Sequence, residues 1–446
     1  MTTPICDFVT GYAVGKTVRF HMPGHKGVIS HGLEPVDITE IKGAGYLYSD
    51  EGIIAESEQN ASMLFGTEKT LYSTEGSSLS IKTMLAVAAT ALKKEGERPV
   101  ILAARNAHKA FIDAAALIDL DVEWLLPRLG GKSICSCDVT PEMVRNKLLS
   151  MEKKPLALYI TSPDYCGNIL DIRGIKTVLQ GFDIPLLVDN AHGAYLKFLT
   201  PSLHPVDQGA DMCADSAHKT LPVYTGGGYL HISRNADKRF IPPAKGLMSM
   251  LASTSPSYLI MQSLDICNLE LSGEFPSLLG EAVKRVSEVK SEIASFGFEL
   301  FGNEPMKICI LPNSFGYTGD EVADILRQNG VEPEYSDPYT CVLMPGVKNT
   351  ADDYEKLLFA LSLITRRRPI ENTVFKLPNP IRHMSIREAA FSNTRRISVD
   401  DALGCICGRS AVSCQPSVPI AVSGEEITAD IIKILKRYSI FEIDVL

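Results

Sequence analysis

The sequence predicts an α/β protein with a mostly parallel sheet, followed by a smaller α+β region and a C-terminal extension. Two observations carry that expectation. Between residues 70 and 190, short apolar runs alternate with helix-period segments, the pattern of strands covered on both faces by crossover helices. Chemically capable side chains also fall just after those runs, where open α/β sheets gather their ligands.

In chain order, residues 1–20 read as an arm. Arg19-Phe20-His21-Met22-Pro23-Gly24-His25-Lys26-Gly27 reads as a loop, because its Pro-Gly and Lys-Gly pairs punctuate the chain. Its cations suit a substrate carboxylate, a neighbouring subunit, or solvent. Residues 51–65 have helical spacing and 70–73 form a short strand. A helix pattern over 81–94 follows Glu75-Gly76-Ser77-Ser78-Leu79-Ser80. Strands follow at 99–104, 122–126, 156–161 and 184–189, with helices at 109–120, 141–153 and 172–182 between them. Right-handed crossovers would bring the strand ends to one edge. That edge collects Ser77, Ser78, His108, Asp164, Asp189, His192, Ser216, His218 and Lys219.

Residues 229–233 read as an antiparallel strand. Pro242-Pro243 then leads into a Ser/Thr-rich loop, Ser253-Thr254-Ser255-Pro256-Ser257-Tyr258. A helix over 278–296, a strand over 307–311, a helix over 320–329, a strand over 341–344 and a helix over 351–364 make the α+β region. Arg366-Arg367-Arg368-Pro369 reads as a linker. Residues 381–446 read as helices and loops, with Gln415-Pro416-Ser417-Val418-Pro419 as a rigid turn. The expected divisions are an arm and loop (1–30), a large domain (31–275), a small domain (276–368) and a C-terminal domain (369–446).

The 446 residues, 45% hydrophobic and 22% charged, suit two or three globular domains. A formal charge of -9 gives no long-range attraction for nucleic acid or an anionic membrane surface. No apolar run reaches the ~20 residues of a membrane helix, and the N-terminus lacks the features of a signal peptide. Eleven cysteines, an odd number scattered through apolar runs, fit a reduced cytoplasmic protein. Cys135-x-Cys137 and Cys405-x-Cys407 are spaced too closely for a zinc knuckle and have no histidine pair nearby, so no metal is expected.

Two stretches concentrate the chemistry. In Pro185-Leu186-Leu187-Val188-Asp189-Asn190-Ala191-His192-Gly193-Ala194 an apolar strand ends in a carboxylate. In Asp215-Ser216-Ala217-His218-Lys219-Thr220 a lysine follows a histidine and a serine, ahead of a glycine-rich loop. Separately, Asp189 is a candidate helix cap and Lys219 a surface charge. Together they suggest pyridoxal 5'-phosphate, which needs an amine to hold its aldehyde and an anion to keep its ring nitrogen protonated. The Gly76-Ser77-Ser78 turn opening a helix is an anion site in form, since unpaired N–H groups and the helix dipole face outward there. An empty serine cap has the same sequence. His108, just after a strand, suits stacking on a planar cofactor or a local hydrogen bond.

These stretches resemble the bacterial Orn/Lys/Arg decarboxylases, which have the aspartate-aminotransferase-like fold of fold-type I pyridoxal-phosphate enzymes. The likeness runs nearly end to end: Phe20 to Gly27, Glu75 to Ser78, Arg105 to Lys109, Val188 to Gly193, Ser216 to Pro222, Thr254 to Tyr258, and Arg387-Glu388-Ala389. It implies that Lys219 forms the Schiff base, Asp189 pairs with the pyridinium nitrogen, and His108 stacks on the ring, with His192 packing near it. Gly76, Ser77 and Ser78, with Ser216 and His218, would hold the phosphate. Thr254 or Ser255 would reach a phosphate across a dimer interface. The first motif begins near residue 20, so the resemblance is to the short form without an N-terminal wing domain, as a homodimer or a dimer of dimers.

Three places depart from the family's pattern: the turn Ser413-Cys414-Gln415-Pro416-Ser417-Val418-Pro419, Glu75 where a small polar residue is common, and Ser162-Pro163-Asp164-Tyr165-Cys166-Gly167. The cofactor positions are intact, so the implied activity is α-decarboxylation of arginine, lysine or ornithine, a small-molecule substrate, in polyamine metabolism. A cationic substrate needs a carboxylate partner; Glu332 and Glu334 are candidates, or simply surface groups. An aminotransferase or lyase on the same fold, and a non-catalytic cofactor-binding regulator, are the alternatives.

Overall fold

The computed structural model describes residues 1–15, 17–127, 133–371, 377–412 and 417–446. They form two compact units, each made of two chain segments: residues 1–95 with 179–277, and residues 96–178 with 278–446.

In the first unit four strands lie in the order Lys69–Ser73, Gly228–Ile232, Met212–Asp215, Leu186–Asp189. The Gly228–Ile232 strand is antiparallel to both neighbours, and Met212–Asp215 is parallel to Leu186–Asp189. The three outer-running strands therefore end on one edge, and Gly228 begins its strand there, opposite Ser73. Helix Gly76–Leu92 leaves this edge at once. Its long apolar run is buried, with Met84, Leu85, Val87 and Ala88 fully enclosed. The sheet itself is buried through Leu71, Tyr72, Met212, Cys213, Tyr229 and Leu230.

Two expectations are corrected in this unit. The arm contains a helix, Pro4–Val14, which buries Ile5 and Val9. Its first N–H groups, from Ile5 and Cys6, donate to Asp265 Oδ2 at 2.9 and 3.0 Å, so a distant carboxylate serves as its cap. Pro242-Pro243 opens a helix, Ile241–Leu251, instead of a loop; prolines in a first turn forfeit only N–H groups that have no intrahelical partner. A further helix, Tyr258–Ser272, follows the Ser/Thr-rich loop.

In the second unit three parallel strands lie in the order Leu158–Thr161, Val100–Ala104, Asp121–Leu125. An antiparallel sheet runs Tyr335–Ser336, Cys341–Leu343, Ile308–Leu311, Glu299–Phe301, beside the capped helices Gly319–Gln328 and Ala351–Ser362. The tail is corrected too: it holds two strand pairs, Arg395–Ser398 with Glu442–Val445 and Ala411–Val412 with Pro419–Ala421, besides helix Ala429–Arg437. Ile420, Ile427, Leu435 and Val445 join Cys166, Cys309 and Val342 in one core. Of the expected 413–419 turn, residues 413–416 lie outside the described residues. Ser417, at φ +59°, accepts from Lys109 N–H at 2.8 Å. Among the described residues no helix is long and apolar enough to cross a membrane.

Candidate active site

At the C-terminal edge of the first unit's sheet, two strand-to-loop junctions meet. Leu186–Asp189 ends in a carboxylate that is 2% exposed. Its Oδ1 accepts the Ala191 N–H at 3.1 Å, which folds the next residues back over the strand end. Asn190 and His192 are buried there. Met212–Asp215 runs into the short helix Ala217–Thr220, which carries Lys219. Lys219 Nζ and His192 Nε2 are 3.1 Å apart, so an ammonium donates to an imidazole lone pair, or a neutral amine shares its proton.

The third junction is the turn from Lys69–Ser73 into helix Gly76–Leu92. Gly76 has φ +66°, and its N–H donates to Gly226 O at 2.7 Å. Ser73 Oγ donates to Gly76 O at 2.8 Å. Ser77 Oγ and Ser216 Oγ are 2.7 Å apart and both residues are buried. Gly228 forms the floor: a Cβ there would lie 2.9 Å from Asp215 O, 3.0 Å from Gly76 C and 3.2 Å from Ser77 N. His218 Nδ1 lies 2.8 Å from Gly227 O. A carbonyl only accepts, so Nδ1 carries the proton in that bond. Glu75 Oε1 accepts Ser253 N–H at 2.7 Å, which ties this turn to the loop bearing Thr254, an exposed residue.

The structure therefore brings together Gly76, Ser77, Ser216, His218, Asp189, His192 and Lys219 on one edge, with Ser78 on the helix's first turn. His108 and Asp164 belong to the second unit. His108 caps helix Lys109–Ile118, its Nδ1 accepting Ala110 N–H at 3.0 Å, which puts its proton on Nε2. Arg105 just before it is 3% exposed. It donates to Pro419 O, Ile420 O and Glu425 Oε2 at 2.9–3.2 Å and covers the Trp124 ring. Asp164 is 1% exposed, and burial first, then the charge of Cys166, pushes its carboxyl up to about 7. Glu334 accepts from Tyr165 Oη at 2.7 Å, and Glu332 pairs with Arg327 at 2.8 Å.

Sequence reasoning passed over Ser73, Gly226, Gly228 and a buried set behind the edge: Asn190, His204, Asp215 and His231. The run of three glycines, Gly226 to Gly228, that leads into the Gly228–Ile232 strand was the signal for the floor. The buried set has none, since its members are separated by irregular intervals.

A chain with this edge has known relatives. The Bacillus subtilis protein named arginine decarboxylase is 28% identical over 96% of this chain and 92% of its own length. Two solved structures share the fold: the constitutive lysine decarboxylase of Escherichia coli (TM-score 0.78, 18% identity, all of this chain and 82% of that one) and the lysine decarboxylase of Francisella novicida (TM-score 0.81, 16% identity, all of this chain and 81% of that one). The expected fold class is thereby shown. The profile described as "Orn/Lys/Arg decarboxylase, major domain" matches residues 3–310, and the chain belongs to that family.

Proposed function

We propose that this chain is a pyridoxal-phosphate-dependent α-decarboxylase of a basic amino acid, with arginine the first substrate to test. The observation that carries the reading is the Lys219 Nζ–His192 Nε2 pair, 3.1 Å apart beside the buried Asp189. An amine, a neighbouring base and an enclosed carboxylate on one sheet edge are the groups that this cofactor demands of a protein. The donor set at the third junction fits its phosphate: a helix N-terminus, two paired hydroxyls, and a floor that admits no side chain. When bound, the cofactor supplies the electron sink that takes up the pair left by departing carbon dioxide.

The chain's own groups divide the remaining work. Lys219 would hold the aldehyde, and Asp189 would keep a proton on the ring nitrogen. Gly76, Ser77, Ser78, Ser216 and His218 would hold the phosphate. His108 would lie on the ring face, with His192 close to Lys219 to exchange a proton. Thr254 would serve the neighbouring subunit of a homodimer or a dimer of dimers, in the cytoplasm. Arginine comes first because the Bacillus subtilis relative, matched over nearly its whole length, carries that substrate in its name.

The test adds pyridoxal phosphate to purified protein and follows visible absorbance, then carbon dioxide and amine released from arginine, lysine and ornithine. A band that Lys219→Ala abolishes, with carbon dioxide from one of the three, is the expected result. No band with added cofactor overturns the reading.

A further inference from the structure

Behind the edge of the first unit lies a fully enclosed His–Asp–His cluster that the proposed chemistry does not touch. Asp215 ends the Met212–Asp215 strand and directly precedes Ser216. Its Oδ2 accepts from His204 Nε2 at 2.9 Å and from His231 Nε2 at 3.3 Å, and all three side chains are 0% exposed. Its Oδ1 accepts from Asn190 Nδ2 at 2.8 Å and from the Cys213 thiol at 3.2 Å. Four donors thus surround one carboxylate. Burial pushes its carboxyl up, but the two imidazoles outweigh burial and hold it well below the ordinary range.

Proton positions decide what the cluster is. His204 Nδ1 accepts the Val206 N–H at 3.3 Å, so its proton sits on Nε2, toward Asp215. The three atoms lie within 4.8 Å of one another, as metal ligands would. A protonated Nε2 has no lone pair for a metal, however, so the set is a ring of donors around an anion. His231 is held from its other side, with Nδ1 2.9 Å from Thr70 Oγ1 and its ring 4.4 Å from the Phe65 ring.

The carboxylate spans two segments. Its own backbone leads into Ser216–Lys219, while Asn190 belongs to the segment that carries Asp189 and His192. We propose that Asp215 is a positioning residue: anchored by His204 and His231, it holds these two segments at a fixed separation and so sets Lys219 Nζ against His192 Nε2. The value of that geometry for catalysis rests on the function proposed above; the geometry itself needs no cofactor.

Two substitutions test it. Asp215→Asn replaces the fourfold acceptor by a group with one oxygen and an NH2 that must face donors. Asn190→Ala cuts the same link at its far end and leaves the histidines in place. The first readout uses cofactor-free protein. Acylation of Lys219 by an N-hydroxysuccinimide ester is compared, by peptide mass spectrometry, with that of Lys433, which is 76% exposed in the same chain. Thermal unfolding identifies folded variants, and Asn190→Ala carries the test if Asp215→Asn does not fold. The second readout is kcat and KM for the preferred amino acid.

The expected result is a change of about tenfold in the Lys219/Lys433 ratio, with kcat falling about tenfold and KM nearly constant, the pattern of a misplaced reacting group. A ratio that stays within about twofold of wild type in folded variants overturns the proposal, even if stability falls. If wild-type protein takes up no pyridoxal phosphate but the ratio changes, the positioning stands and the proposed function falls. If wild-type protein turns over and the ratio is constant, the positioning alone falls.

Discussion

Gly228→Ala tests whether the floor beneath the Gly76-Ser77 turn is as tight as its geometry says. The added Cβ would meet three backbone atoms: Asp215 O at 2.9 Å, Gly76 C at 3.0 Å and Ser77 N at 3.2 Å. Carbon atoms pack best at about 3.5–4.0 Å, so the Gly76 contact is at least ~0.5 Å too short. None of the three is a flexible side-chain tip that swings away. Two of them belong to the start of helix Gly76–Leu92, so relief moves that helix end outward. The move lengthens the 2.7 Å Ser77–Ser216 hydrogen bond. Overpacking of this kind destabilises by about 1–3 kcal/mol, and the weakened hydrogen bond adds about 1 kcal/mol. Phosphate affinity falls as well, because the N–H groups and hydroxyl that would face it shift together. Urea unfolding gives the first quantity, and titration with pyridoxal phosphate gives the second. A variant within about 0.5 kcal/mol of the parent and with unchanged cofactor affinity refutes the reasoning.

Glu75→Gln keeps an acceptor for the Ser253 N–H but removes a negative charge from the turn that would hold a phosphate. Cofactor affinity should rise about fivefold at low salt and return to the parent value at high salt. Stability should fall by about 0.5 kcal/mol, since a carboxylate at a helix N-terminus is favourable; equal dissociation constants at both salt concentrations refute the charge argument. Asp164 holds its proton more tightly folded than unfolded, its carboxyl rising from 3.8 to about 7 through burial and then Cys166. Its contribution is therefore full below about pH 4 and is lost as pH rises through about 7, by up to about 4 kcal/mol. Asp164→Asn should gain stability over wild type progressively across that window, and a difference independent of pH refutes the assignment.

What the sequence made legible was periodic or local. Strands such as 184–189 were visible as short apolar runs between helices, and residues just after them could be ordered along one edge without coordinates. Lys219, Asp189, Ser77 and Ser216 fall on one edge in keeping with that ordering. Helix Ile241–Leu251 was not legible because two adjacent prolines ahead of a Ser/Thr-rich loop give no helical signal, although in a helix's first turn they are tolerated. Helix Pro4–Val14 was missed because its cap, Asp265, comes from far along the chain. The two strand pairs of the tail are only two to four residues per strand, too short for alternation to register. The Asp215 cluster was invisible for another reason. Its members occupy strand and loop positions where an apolar residue is the norm, and only their meeting reveals that each satisfies the others.

The divided course of the chain has a consequence during synthesis. Strand Lys69–Ser73 finds its partner in Gly228–Ile232, and the first unit resumes only after about 80 residues spent in the second. At about 5–20 residues per second on the ribosome, the first strand waits on the order of ten seconds for its neighbour. Through that interval Leu71 and Tyr72, both fully enclosed in the finished protein, have no native sheet to enter. The nascent chain is therefore most exposed to misassociation before residue 232 emerges, and slower translation over residues 96–178 would lengthen that exposure.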